Sequence, residues 1–257
     1  MLFITGAGIS ADSGLPTYRG VGGLYESGKT EEGYPIETCL SASMFEVRPE
    51  ITWKYMLKVG EAVERCKPNA AHEILARWER DFERRGGKLV ILTQNIDAYH
   101  KTAGSKNVLE IHGSLTELFC IGCEWKMAVE YDRHDNERFE NRLTEIRNRL
   151  QDHQPPRCPW CNGVVRPRIV LFEEMLPRNV LNAFDAEFQD GTGFDMVFAV
   201  GTSAMFPYIT GPVLEAARKG KTTVDINPVD DDLSQRVTYH LPLRAAEAFT
   251  LLDERLQ

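Results

Sequence analysis

Gly6-Ala7-Gly8-Ile9-Ser10-Ala11-Asp12-Ser13-Gly14-Leu15-Pro16-Thr17-Tyr18-Arg19 follows directly on the apolar Leu2-Phe3-Ile4, and how this run is read decides the fold. An apolar stretch that empties into closely spaced glycines is the pattern of a strand ending in a phosphate-binding turn. Glycines let backbone amides approach a pyrophosphate, and a helix starting just after the turn points its positive end at the anion. The plainer reading is a strand-to-helix turn that needs glycine for a positive φ. Gly14 lies too far along for the usual three-glycine fingerprint. The second half of the run, Pro16, Thr17, Tyr18 and Arg19, does not continue a helix and is expected to form an ordered loop over whatever the glycines bind.

The rest of the chain narrows the class. Its 257 residues, 42% of them hydrophobic, suffice for one large domain or one domain carrying a smaller module. No apolar run approaches the roughly 20 residues needed to span a bilayer. No signal for export is visible, so the expectation is a cytoplasmic protein without a membrane partner. A formal net charge of −8 argues against nucleic acid as a direct partner.

Four of the six cysteines form two CxxC pairs, Cys120 with Cys123 and Cys158 with Cys161. Two such knuckles present four thiolates to one ion, so one structural zinc is the leading reading, with a redox dithiol or two disulfides as the alternatives. The pairs stand further apart than the roughly 15–20 residues of compact four-cysteine sites, so something is inserted between them. Phe139, Leu143, Ile146 and Leu150 recur at helical spacing there and predict an amphipathic helix over residues 136–151.

Residues 26–85 are polar and helix-forming, with anchors such as Phe45, Trp53, Met56, Leu75 and Trp78. Leu89-Val90-Ile91-Leu92-Thr93 is a continuous apolar run ahead of Gln94-Asn95, as expected of a strand buried on both faces of a parallel sheet. Residues 108–111 form a further strand ending at His112-Gly113. Residues 169–172, 196–200 and 223–226 supply three more buried strands, followed by Glu173-Glu174, Gly201-Thr202-Ser203 and Asn227-Pro228. Strands alternating with helices predict an α/β, doubly wound parallel sheet, in which ligands sit outside the carboxyl ends of the strands. Singly, Asn95 and Asp97 could cap the next helix, His112 could be a turn histidine, and Gly201-Thr202-Ser203 could be a plain turn. Together they put chemistry at one edge of one sheet.

These residues resemble the sirtuin (Sir2) family of NAD-dependent protein deacylases over nearly the whole chain. The likeness rests on Gly6-Ala7-Gly8-Ile9-Ser10 with Ser13 to Arg19, Thr93-Gln94-Asn95-Ile96-Asp97, His112-Gly113, the four cysteines, Arg166-Pro167, residues 170–177, Gly201-Thr202-Ser203 and Asn227-Pro228. It implies a Rossmann-like lobe (about residues 1–25, 86–117 and 166–257) and a small lobe made of a helical module (about 26–85) and a zinc ribbon (about 118–165). NAD and an acyl-lysine peptide would meet in the cleft between them. The zinc would be structural, in agreement with four cysteine ligands that leave no open coordination position.

By the same resemblance, the substrate's acyl oxygen attacks C1′ of the nicotinamide ribose, nicotinamide leaves, and His112 takes a proton from a ribose hydroxyl. A histidine, whose unperturbed pKa is near ~6.5, can do this at neutral pH. Gln94 and Asn95 would contact the ribose, and Asp97 the nicotinamide carboxamide. Tyr18 and Arg19 would cover the reactive bond. Gly6, Ala7, Gly8, Gly201, Thr202, Ser203 and Asn227 would contact the phosphates and the adenosine half. Val170, Phe172 and Glu173 would lie along a substrate added as an extra strand.

Two departures from the family pattern bear on specificity. Phe172-Glu173-Glu174 stands where relatives usually read Phe-Gly-Glu. Thr17 matches the branch that removes acidic acyl groups, yet Met56 and Val59 occupy the places of that branch's Tyr-x-x-Arg pair, so a neutral acyl group is expected. The competing functions are mono-ADP-ribosyl transfer or NAD hydrolysis on the same fold, and a non-enzymatic zinc module that senses NAD.

Overall fold

A computed structural model of the chain describes residues 1–15, 29–128, 148, 154–188 and 193–256. The loop Pro16, Thr17, Tyr18 and Arg19 lies outside them, as does the helix expected over 136–151 but for Asn148. In chain order the elements are β1 (Leu2–Thr5), α1 (Ala7–Ala11), α2 (Ile36–Cys39), α3 (Ala42–Val47), α4 (Pro49–Arg65), α5 (Ala70–Arg84), β2 (Val90–Thr93), α6 (Tyr99–Thr102) and β3 (Val108–Glu110). There follow β4 (Gly113–Cys120), β5 (Lys126–Ala128), β6 (Val165–Ile169), α7 (Arg178–Phe188), β7 (Met196–Val200), α8 (Pro207–Arg218), β8 (Thr222–Ile226), β9 (Tyr239–Leu241) and α9 (Ala245–Leu256). They divide into two compact units, one of Met1–Tyr18, Cys66–Ile111 and Leu176–Gln257, the other of Arg19–Arg65 and His112–Met175.

The first unit is built on a six-stranded sheet of order β3-β2-β1-β7-β8-β9, with every neighbouring pair parallel. Counted by appearance in that sheet the order is 3-2-1-4-5-6, the dinucleotide-fold order, whose direction of winding reverses between β1 and β7. The strands earn this place by being apolar on both faces. Alternate residues feed two cores: Phe3, Ile91, Phe198 and Val224 face α5 and α9 on one side, and Leu2, Ile4, Leu92, Val197 and Ala199 face α7 and α8 on the other. On the first side Phe3 stacks on Phe198 at 4.4 Å between ring centroids, with Trp78 at 6.4 Å and Phe249 at 5.9 Å. Helix α5 enters this core through Ala71, Ile74, Leu75 and Trp78, one stripe at i, i+3, i+4 and i+7. Its start is fixed by a capping box in which the Asn69 side chain accepts from the first turn and His72 Nδ1 accepts from the Asn69 N–H.

The second unit contains α2, α3, α4 and an antiparallel sheet of order β5-β4-β6. The helical stretch read from the sequence as residues 26–85 is thus divided, because the apolar stripe of α5 packs on the parallel sheet. One expected strand is corrected. Residues 169–172 do not join the parallel sheet; the strand there is β6, and Ile169 pairs with Gly113 of β4. A short apolar run has the same pattern in a small antiparallel sheet as in a parallel core, and only its partner distinguishes the two. Trp53 of α4 donates from Nε1 to the Val165 carbonyl at 2.7 Å, tying this helix to β6.

Replacing Phe3, which is fully buried between Phe198, Trp78 and Phe249, by alanine removes the ring at the centre of one core. Phe3→Ala is expected to cost about 3–5 kcal/mol, read as a fall in the midpoint of urea unfolding. Phe206→Ala, at a ring 41% exposed, should move the midpoint far less.

Candidate functional site

The turn after β1 and the turn after β7 are in backbone contact. Gly6 N–H donates to the Val200 carbonyl at 3.0 Å and Gly8 N–H to the Gly201 carbonyl at 2.8 Å. A Cβ on Gly8 would lie 2.5 Å from Gly201 Cα, and one on Gly201, whose φ is +56°, would lie 2.5 Å from the Ile9 nitrogen. Glycine is required here because two main chains touch at the point where the sheet reverses its winding. The N–H groups of Gly6 and Gly8 are committed to that contact, so these two residues shape the turn, which leads straight into the short helix α1.

At the end of β2, Asn95 Nδ2 donates to the Gly6 carbonyl and to Ser10 Oγ, both at 3.1 Å, binding this loop to the glycine turn. Gln94 Nε2 donates to Thr202 Oγ1 at 2.8 Å, which links it to the turn after β7. Asp97 is 6% exposed; its two oxygens accept from the Ser10 hydroxyl at 2.7 Å and the Tyr99 N–H at 2.9 Å. Burial pushes the Asp97 carboxyl above the usual carboxylate range, against the pull of those two donors. At the end of β8, Asn227 Nδ2 donates to the Thr202 carbonyl at 3.2 Å. Gly6, Ala7, Gly8, Gln94, Asn95, Asp97, Gly201, Thr202 and Asn227 are therefore brought together at the carboxyl ends of four neighbouring strands. Ser203 is exposed on the same turn. Tyr18 and Arg19 lie outside the described residues.

Beneath this set runs a buried polar layer that the sequence reading did not assign. Thr5 Oγ1 donates to Thr93 Oγ1 at 2.9 Å, across a register in which the two residues face one another, and lies 2.9 Å from His100 Nε2. His100 in turn packs against His72, with ring centroids 4.9 Å apart. Both rings are buried, and His72 Nε2 and His100 Nδ1 have no hydrogen-bond partner among the described residues. The sequence cue was a threonine at the end of each of two otherwise apolar strands, which marks polar groups entering the core.

The second unit carries the remaining candidates. His112 is half-buried at the start of β4, and its carbonyl accepts from the Val170 N–H at 2.8 Å. Gly113, at φ +75°, has no room for a side chain, since a Cβ would lie 2.1 Å from the Arg168 carbonyl oxygen. The His-Gly pair thus sets where the imidazole leaves the sheet. Phe172 donates its N–H to the Leu40 carbonyl at 3.0 Å and accepts from the Ala42 N–H at 2.9 Å, so its main chain is already paired with the α2–α3 connection. Glu173 has φ +74°, a left-handed conformation that costs a non-glycine residue, and its carboxylate accepts from the Ser43 N–H at 3.1 Å. Glu174 pairs through both oxygens with the buried Arg166 and accepts from the Leu171 N–H, which locks the turn after β6.

The four cysteines Cys120, Cys123, Cys158 and Cys161 gather with their sulfurs within 4.8 Å of one another. The Cys120–Cys161 and Cys123–Cys158 sulfurs are 3.4 Å and 3.6 Å apart, close to the about 3.8 Å edge of a tetrahedron with 2.3 Å metal–sulfur bonds. The backbone N–H groups of Gly122, Trp160 and Gly163 point at Cys120, Cys158 and Cys161. A Cβ on Gly163 would crowd two of the sulfurs, at 3.1 Å and 3.2 Å. All four thiols are free, and the set fits a tetrahedral zinc ion.

Comparison with known proteins follows the same lines. A family model described as the Sir2 family matches residues 6–206. The chain is 43% identical over 249 residues to a protein of Pseudomonas aeruginosa named NAD-dependent protein deacylase 2, covering 96% of this chain and 88% of that one. A protein of the same name from Pseudomonas syringae pv. tomato is 43% identical over 254 residues, covering 98% and 93%. Among solved structures, a Sir2 homologue in complex with NAD is similar with a TM-score of 0.78 and 31% identity, covering 99% of this chain and 88% of that one. A Sir2 structure holding a deacetylated peptide and 3′-O-acetyl ADP ribose has a TM-score of 0.79 and 28% identity, covering 99% and 92%.

The buried histidines make stability depend on pH. Burial lowers His72 from 6.5 to about 4 and holds His100 well below the usual histidine range. Both refuse protons that the unfolded chain takes up, so their contribution is complete above about pH 6.5 and is lost as pH falls toward 4. For His72 alone the loss is about 3 kcal/mol. Urea midpoints are expected to fall steadily over that window, with a shallower slope for His72→Gln; a flat wild-type profile would contradict this.

Proposed function

We propose residue roles for a chain that belongs to the Sir2 family and is an NAD-dependent protein deacylase. What carries them is the convergence of Gly6, Gly8, Gln94, Asn95, Thr202 and Asn227 at the carboxyl ends of β1, β2, β7 and β8, where doubly wound sheets take nucleotides. The Gly6-Ala7-Gly8 and Gly201-Thr202-Ser203 turns form the floor under the NAD diphosphate, and Asn227 meets the adenosine ribose. Gln94 and Asn95 face the nicotinamide ribose. Asp97 takes the nicotinamide carboxamide; each of its oxygens accepts one hydrogen bond already and has capacity for a second.

NAD is consumed as a co-substrate: its ribose receives the acyl group of an acyl-lysine protein while nicotinamide departs. His112 is the general base that accepts the proton of a ribose hydroxyl, and Gly113 lets β4 deliver the imidazole at the strand's mouth. The peptide runs past Val170, Phe172 and Glu173, using the half-exposed Phe172 ring, because the Phe172 main chain is already paired. The acyl group is neutral: Met56, 2% exposed, and Val59 offer no charge for a carboxylate, and Lys54 and Lys58 on the same helix are paired with Glu31 and Glu32. Cys120, Cys123, Cys158 and Cys161 hold a structural zinc ion that shapes the small sheet. Two CxxC pairs committed to a metal ion rather than to disulfides suit a reducing, cytoplasmic setting.

Incubation with NAD and an acetyl-lysine peptide, followed by mass spectrometry, is expected to yield deacetylated peptide, nicotinamide and acetylated ADP-ribose in step. His112→Ala should lower turnover by about a hundred- to ten-thousand-fold. Nicotinamide released without deacetylated peptide, or a succinyl peptide processed faster than an acetyl one, would overturn the assignment of reaction or of acyl group respectively. Stripping zinc with a chelator should abolish turnover by unfolding the cysteine-bearing sheet. A zinc-free protein of full activity would refute the structural role.

A further inference from the structure

A second buried polar cluster sits at the carboxyl end of β8, and none of the roles above uses it. Asp225 is fully buried in β8, opposite His240 of β9. Its Oδ2 lies 2.9 Å from His240 Nδ1 and accepts from Ser234 Oγ at 3.0 Å. On the other side of the ring, His240 Nε2 lies 2.9 Å from Asp230 Oδ1, an ion-pair contact without an aligned hydrogen bond. Asp230 is otherwise exposed, with 83% of its side chain open to solvent. It belongs to the segment joining β8 to the turn Ser234–Arg236, the segment that begins with Asn227.

The charges facing His240 are Asp225 from β8 and Asp230 from the connecting segment, with Asp231 near Asp225; no lysine or arginine pairs with these three among the described residues. Burial pushes the Asp225 carboxyl above the usual range, with Ser234 and His240 opposing that shift. A neutral imidazole can donate from one nitrogen only, whereas an imidazolium donates from both and faces a carboxylate on each side.

We propose that His240 is a positioning residue for the dinucleotide, bridging Asp225 to Asp230 so that the segment carrying Asn227 is held in its NAD-binding form. The inference rests on the reading that Asn227 contacts the adenosine half of NAD. The effect extends beyond the adenosine end, because Asn227 bonds the Thr202 carbonyl and the Thr202 hydroxyl accepts from Gln94.

Steady-state kinetics with NAD and an acetyl-lysine peptide separate this from a merely structural role. Asp230→Ala, at a side chain 83% exposed, should raise the KM for NAD about threefold with kcat and the peptide KM unchanged. His240→Ala, which removes both contacts, should raise it about tenfold. An unchanged KM for NAD in Asp230→Ala, or a loss confined to kcat, overturns the proposal while leaving the deacylase reading intact. A wild type that neither binds nor consumes NAD overturns both.

Discussion

The contact of Gly6 and Gly8 with Gly201 is the constraint on which the first unit depends. Two strands that are neighbours in the sheet, β1 and β7, must turn away in opposite senses at their ends, and their main chains meet with no space for a Cβ. Once the two turns touch, the loops beside them have little freedom. The Asn95 amide reaches the Gly6 carbonyl, the Gln94 amide reaches Thr202, and Asn227 reaches the Thr202 carbonyl. A polar surface assembled from four loops is thereby cross-linked by hydrogen bonds from loop to loop. Such preorganisation matters for a co-substrate whose glycosidic bond must be presented in one orientation.

The same economy recurs in the second unit. Gly113 is forced by the close approach of the Arg168 carbonyl, and Glu174 spends its carboxylate on Arg166 and the Leu171 N–H. The strained backbone of Glu173 is offset in part by its bond to the Ser43 N–H. The turn after β6 is therefore fixed by internal pairing. The cysteine quartet completes a small sheet that has few apolar residues of its own, with Val165 and Leu118 packed beside the sulfurs.

Much of this was legible in the chain because parallel strands buried on both faces write themselves as uninterrupted apolar runs: the strands at Leu2, Val90 and Met196 begin within a residue of where the runs place them. The two CxxC pairs were legible because their spacing has few other uses. Residues 169–172 were placed in the wrong sheet, since four apolar residues carry no information about which strand they pair with. The glycines were read as room for phosphate, whereas in the structure they make room first for another main chain. The His72–His100 layer and the His240 bridge were invisible in one dimension, because each joins residues from separate elements whose meeting depends on sheet order. Glu174 was legible only as part of a polar turn and proves to be a partner for a buried arginine.

The residue roles proposed above depend on NAD binding where the four loops converge at the carboxyl ends of β1, β2, β7 and β8. Amide hydrogen exchange measured along the whole chain with and without NAD tests it most directly. Exchange is expected to slow in residues 6–15, 94–97, 201–204 and 227–233, with the cysteine-bearing segments 118–128 and 154–165 unchanged. Slowing confined to the cysteine-bearing segments, or none at the four strand ends, would contradict it.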